Sequence, residues 1–297
     1  MFELDGAPQR PMRVWLQGIQ LGLVSFRKLI ALTTMLSFIS LLPTIYMAGK
    51  IGDAEISPDS MLQLFKQGHF LLTILLLQLL VLVLSSFVNA LIIRRLDQTA
   101  HGTEQTRELS FALHKAPPLV LAAILCFITL VIGIILAAII GAILGIFFGI
   151  ILGHAAAMVV TESCIFIALI YIAVNLLFFQ FAIVLDGKGP VGALNHSCAL
   201  VFCNWWRTFL VLLCTLLIII GIAILVALPL ALVMPPEHWL PVYAAADTGR
   251  TLLVKSVLKL IGAAIFAPFI LGILYMLYHD LRARYALKSK PTGAIQA

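Results

Sequence analysis

Six stretches of this sequence run for twenty residues or more without an Asp, Glu, Lys or Arg. They are 29–49, 67–93, 116–161, 163–185, 208–236 and 260–279. A helix needs about 20 apolar residues to cross about 30 Å of hydrocarbon. In lipid every backbone polar group must be satisfied internally, so spans of this kind fold as helices. The rest of the composition agrees. Hydrophobic residues make up 62% of the 297 and charged residues 11%, against about a quarter charged in soluble domains. That is too little charge to coat a water-exposed surface, and it excludes a soluble enzyme. Disorder is excluded as well, since it requires low hydrophobicity and high net charge. The fold class is all-α: a polytopic membrane protein with six transmembrane helices and short interfacial amphipathic helices.

Charge placement sets the number of spans. The run 116–161 is too long for one ordinary span and could hold two. Basic residues cluster at Arg10, Arg13, Arg27 and Lys28, at Arg94, Arg95, Arg107 and Lys115, at Lys188 and Arg207, and at Arg282, Arg284, Lys288 and Lys290. Six helices place all four clusters on one side, which the positive-inside rule makes cytoplasmic. Seven would move the last two across. The spans are therefore expected at about 29–49, 69–93, 118–150, 163–185, 208–233 and 257–279. An amphipathic cytoplasmic segment, 1–28, precedes them and a basic tail, 280–297, follows. Both termini are expected in the cytoplasm, and the first apolar run begins too late for a signal peptide. The net charge of +6 then marks a membrane face rather than a nucleic-acid partner. Six spans leave region 141–162 open as a helix extension or a re-entrant segment, with an extra span as the reading that the charges disfavour.

Residues 12–28 have helical periodicity. Trp15, Ile19, Leu23 and Phe26 fall on one face and Arg13, Gln17, Gln20 and Arg27 on the other, a pattern suited to the membrane interface. Mixed segments at 103–115 and 190–204 precede the third and fifth spans in the same way. The order of interfacial helix, span, span thus occurs three times.

Gly141, Gly145, Gly149 and Gly153 recur every four residues, and small residues at this spacing let helix backbones approach closely. No H-E-x-x-H, G-x-S-x-G or P-loop pattern is present, and the seven histidines lack metal-ligand spacing. No catalytic machinery, cofactor or metal is expected. The five cysteines show no disulfide framework. Pro235, Pro236, His238, Trp239 and Pro241 read as an outer turn anchored by Trp.

Two stretches are more distinctive. One is 186–197 with Asn204, Trp205, Trp206 and Arg207; the other runs from Tyr275 to Arg284. Arg207 can reach lipid phosphates. Asp280 stands four residues before Arg284, and an Asp280–Arg207 pair would tie the fifth and sixth spans. The run from Leu185-Asp186-Gly187 through Ala193, Leu194 and Ser197 to Asn204-Trp205-Trp206-Arg207 resembles the late cytoplasmic loop of YciC-like bacterial inner-membrane proteins. It is also similar to the membrane domain of some glycerophosphodiester phosphodiesterases, whose close the Tyr278-x-Asp280-Leu281-Arg282-x-Arg284 ending resembles. The resemblance implies a bacterial inner-membrane protein with an exposed cytoplasmic surface at Asn204, Trp205, Trp206, Arg207, Asp280, Arg282 and Arg284. The catalytic domain of those phosphodiesterases has no counterpart here. The expected partners are membrane lipids, including anionic head groups, and a protein partner or second copy. The expected role is organisation of lipids or proteins in the envelope, with a transporter or permease for an amphipathic solute as the alternative.

Overall fold

In a computed structural model of the chain, residues 8–51, 66, 68–103, 107–233 and 249–289 are described. Among them every regular element is a helix. Six helices are long and apolar enough to cross a membrane: Pro11–Ile51, Gly68–His101, Glu108–Leu152, His154–Val184, Trp205–Ile222 and Lys255–Lys288. The elements are α1 (Pro11–Ile51), α2 (Gly68–His101), α3 (Glu108–Leu152), α4 (His154–Leu176), α5 (Phe179–Val184), α6 (Pro190–Phe202), α7 (Trp205–Val233) and α8 (Gly249–Ser289). The proline-rich turn expected at 235–241 lies outside the described residues.

Three details depart from the sequence reading. First, α1 is one helix of 41 residues. The amphipathic segment 12–28 continues into the first span instead of preceding it as a separate interfacial helix. Nothing between Lys28 and Leu29 breaks a helix, and both neighbouring turns are built of helix-compatible residues. The mixed segment before the third span is likewise the start of α3, which runs on through Pro117 and Pro118. Of the three such segments only α6 is a helix of its own, with Gly189 before it and Pro190 at its first position. Second, α3 is helical throughout to Leu152, so 141–152 is a helix extension and not a re-entrant segment. Third, α4 begins at His154, leaving Gly153 as the whole connection. Its φ of +92° lies where a Cβ is disfavoured.

The chain forms two compact units, with boundaries inside α3, α7 and α8. The first is built on Gln9–Ala116 and Val211–Leu277. Here α1 and α8 meet through glycines. A Cβ on Gly18 would lie 2.5 Å from Ile273 Cα, and one on Gly22 would lie 2.8 Å from Phe269 Cα. A Cβ on Gly272 would strike the Gly18 carbonyl oxygen. This is the small-residue packing that holds helices together where lipid offers no hydrophobic drive. Next to it, Pro268 lies inside α8. Proline has no N–H, so the Ala264 carbonyl loses its intrahelical donor. Buried Thr33 on α1 supplies one: its Oγ1 donates to Ala264 O at 3.3 Å, shared with Ile30 O at 3.1 Å. Phe26 and Phe269 pack beside this contact, with centroids 5.8 Å apart.

The second unit is built on Pro117–Leu210 and the chain from Tyr278 onward. Its frame is the α3–α4 hairpin. Gly141, Gly145 and Gly149 face α4, where added Cβ atoms would stand 3.1 Å from Thr161 Cα, 2.6 Å from Thr161 Oγ1 and 3.1 Å from Ala157 Cβ. Thr161 Oγ1 also donates across to Gly141 O at 3.0 Å. The glycine spacing is thus packing within this chain, except at Gly153. That residue touches nothing within 4 Å and serves the turn instead.

The fourth span is interrupted between α4 and α5, and α6 repairs the gap. Fully buried Ser197 donates from Oγ to Asn175 O at 2.7 Å and accepts the Phe178 N–H at 3.1 Å. Ser197→Ala removes both bonds and leaves a buried N–H and C=O unmet. A loss of about 1–3 kcal/mol is expected, read as a lower thermal midpoint of the purified protein in detergent. An unchanged midpoint would show that the break needs no repair.

Candidate functional site

Three aspartates gather ion pairs and hydrogen bonds near the basic helix ends. Each stands at the end of the second span of a pair: Asp97 near the end of α2, Asp186 just after α5, and Asp280 within α8. In the first unit, Tyr275 on α8 donates its hydroxyl to Asp97 Oδ1 at 2.8 Å. In the second unit, Tyr278 donates to Asp186 Oδ2 at 2.6 Å, and Arg282 Nη1 lies 2.9 Å from Oδ1. Also in that unit, Asp280 Oδ2 accepts Arg207 Nε at 3.1 Å and Arg284 Nε at 3.0 Å. The Arg207 contact closes to 2.9 Å at Nη2.

The Arg207–Asp280 tie anticipated from sequence is therefore present. Its consequence is that Arg207 is engaged with a carboxylate, which weakens the expectation that it reaches a phosphate. Arg282 goes to a different carboxylate from its neighbour Arg284. Asn204 is half-buried, and its carbonyl accepts from Thr208 N at 3.0 Å at the start of α7. Trp205 is half-buried, stacked on Phe209 at 5.1 Å with Tyr171 at 5.7 Å. Trp206 stands edge-on to Trp205 and is 70% exposed. Together with Phe202, 71% exposed, it rims a cleft of about 610 Å³ that also reaches Cys203 and Arg207. Of the seven residues expected to form one surface, Asn204, Trp205, Trp206 and Arg207 line this cleft. Asp280 and Arg284 bear on it through Arg207, while Arg282 belongs with Asp186.

A model of a family described as a domain of unknown function, DUF7847, matches residues 29–281. The chain belongs to the DUF7847 family. The match covers all three aspartates and the aromatic cleft of this DUF7847 chain. No curated protein and no solved structure matches it.

Sequence reasoning missed Asp97, Tyr275 and Tyr278 as a structural set. The available signal was the recurrence of one Asp next to Leu at the end of each second span: Leu96-Asp97, Leu185-Asp186 and Asp280-Leu281. His196, in sequence one of seven scattered histidines, also has a place in this set. It lies on α6 with Nε2 3.4 Å from Asp186 Oδ2 and its ring edge against Tyr285. Burial pushes its pKa below the ordinary 6.5; Lys188 and Arg282 push the same way, and Asp186 opposes them. The folded state then binds this proton less readily than the unfolded chain. The stability it contributes is complete above pH 6.5 and is lost as pH falls from there through the folded value. The thermal midpoint is expected to fall between about pH 7 and 5, and His196→Gln should flatten that part of the curve. An equally steep fall in the variant would assign the effect to other groups.

Proposed function

We propose that this protein is a non-catalytic component of the bacterial inner membrane, with both termini in the cytoplasm, that organises lipids or partner proteins. The observation that carries this reading is the aromatic rim of Phe202 and Trp206 at the start of α7, exposed beside the half-buried Trp205. The Trp206 indole, with an apolar body and a polar N–H edge, favours the head-group level of a membrane, and Phe202 adds apolar area beside it. The basic clusters at the same ends of the spans suit an anionic leaflet. The resemblance to YciC-like proteins, carried by 185–207 and 278–284, points the same way.

The test is purification of the full chain in native membrane patches, with the retained lipids compared to the bulk membrane and neighbouring proteins identified by cross-linking. Enrichment of a lipid class or a reproducible neighbour, reduced in a Phe202→Ala/Trp206→Ala variant, is expected. Lipid composition equal to bulk with no neighbour would overturn the reading. A second reading, a carrier for an amphipathic solute, draws on a cleft of about 590 Å³ along the α3–α4 hairpin. That cleft is apolar apart from His154, Thr161 and Glu162. Saturable binding of such a solute, lost in Gly149→Leu, would favour it.

A further inference from the structure

A different cleft, of about 340 Å³, lies in the first unit between the end of α2 and the start of α3. It is lined by Arg94 and Gln98 from α2 and by Arg107, Ser110, Phe111 and His114 beside and along α3, with Glu108 at its edge. We propose that this cleft binds a phosphate group, with Arg94, Gln98 and Arg107 as its ligands.

Charge is the first ground. Glu108 is already held by Arg95, 2.9 Å away, and Arg95 also donates to Lys28 O at 3.1 Å. Asp97 accepts the Tyr275 hydroxyl, and His101 Nδ1 is 3.2 Å from it, while Arg94 Nη1 is a loose 3.8 Å away. The carboxylates are thus engaged chiefly elsewhere. Arg94 lies over the Phe111 ring at 4.7 Å, and Lys115 approaches the same ring at 5.8 Å. A guanidinium placed over an aromatic face has N–H donors left for other partners, and its fork matches phosphate oxygens.

An unmet donor is the second ground. Gln98 Nε2 is buried without a hydrogen-bond partner in a residue that lines the cleft. Such a group costs free energy unless something accepts from it. An anionic oxygen in the cleft would do so once the Gln98 amide turns toward it. The source of the phosphate follows from the surroundings. Leu109 and Leu113 stand exposed on the adjoining face of α3, where acyl chains would lie if the phosphate belongs to a lipid head group. Free phosphate would make no use of them.

This proposal rests on the reading that the basic ends of the helices meet lipid. The test uses the full chain in detergent, titrated with short-chain phosphatidylglycerol and, separately, with inorganic phosphate, followed by native mass spectrometry and thermal melting. Arg107→Gln should weaken binding about fivefold, the worth of one cation near an anionic surface. Gln98→Met should also weaken it, while the melting temperature without ligand holds or rises, because the variant removes an unmet buried donor. A purely structural glutamine would give the opposite pair of results. Phosphatidylglycerol binding that resists inorganic phosphate assigns the site to a lipid head group. Inorganic phosphate that binds alone and competes, with the same dependence on Arg107, assigns it to the free anion. Unchanged binding of both probes in both variants overturns the site. If anionic lipid remains enriched on those variants, the lipid-organising reading stands without it. Phosphate binding without lipid enrichment has the opposite meaning: the site stands and the lipid-organising reading falls.

Discussion

Asp280→Ala is expected to be the most damaging single change in this protein, lowering its stability by about 3 kcal/mol or more. The carboxylate is 2% exposed and receives both Arg207 and Arg284 at 2.9–3.1 Å. Removing one partner of a buried pair leaves the other charge uncompensated, which costs about 3–5 kcal/mol. The lower end applies because the Arg207 and Arg284 side chains retain 16% and 26% exposure and can recover some solvation. The same physics predicts that removing the pair together is milder. Arg207→Met/Asp280→Leu should melt well above Asp280→Ala alone, since a buried ion pair replaced by apolar groups of similar size is often neutral. Thermal melting in detergent of the wild type, the single variant and the double variant decides this. A double variant as unstable as Asp280→Ala would mean that the carboxylate matters for something other than Arg207. Exchange of the two charges should restore part of the loss if mutual attraction is what counts.

Gly272→Val is expected to have the next largest effect. A Cβ at this position overlaps the carbonyl oxygen of Gly18 and comes within 2.9 Å of the Gly22 amide nitrogen. Those are backbone atoms and cannot rotate aside as a side chain can. The helices α1 and α8 must separate, and the Thr33–Ala264 hydrogen bond and the Phe26–Phe269 contact go with them. Overpacking costs roughly 1–3 kcal/mol where side chains can give, and this site is set toward the upper end. Gly262→Val, on the same helix with nothing within 4 Å of the new Cβ, is the matched control and should melt close to the wild type. Equal behaviour of the two variants would mean that α1 and α8 are not held by close backbone approach.

The six spans were legible because absence of charge over twenty residues has one physical meaning. Their faces were not. In α1 the stripe Trp15, Ile19, Leu23 and Phe26 suits the membrane interface, where a soluble helix would bury it, and Leu23 is exposed. The buried stripe is Val14, Gly18, Leu21, Gly22, Ser25 and Leu29. In lipid the apolar side chains need no partner, and the small residues turn inward so that backbones can touch. The hydrophobic logic of soluble helices therefore points to the wrong face. The Arg207–Asp280 tie could be read because two opposite charges stand at the ends of spans expected on the same side. The tyrosines of α8 could not, because an aromatic near a span end reads as an interface anchor before it reads as a donor to a distant carboxylate. Gly153 fits a four-residue spacing that the three glycines before it satisfy, and its positive φ and lack of a packed neighbour separate it from them.

The single-residue connection between α3 and α4 bears on how the protein is made. Two long apolar helices joined only by Gly153 give the insertion machinery no hydrophilic segment to carry across the bilayer. The pair can therefore enter the membrane as one folded hairpin, closed by Gly141, Gly145 and Gly149 against Ala157 and Thr161. Tags, protease sites and reporter fusions, which probe topology by placing a loop in one compartment, have no loop to use at this point of the chain.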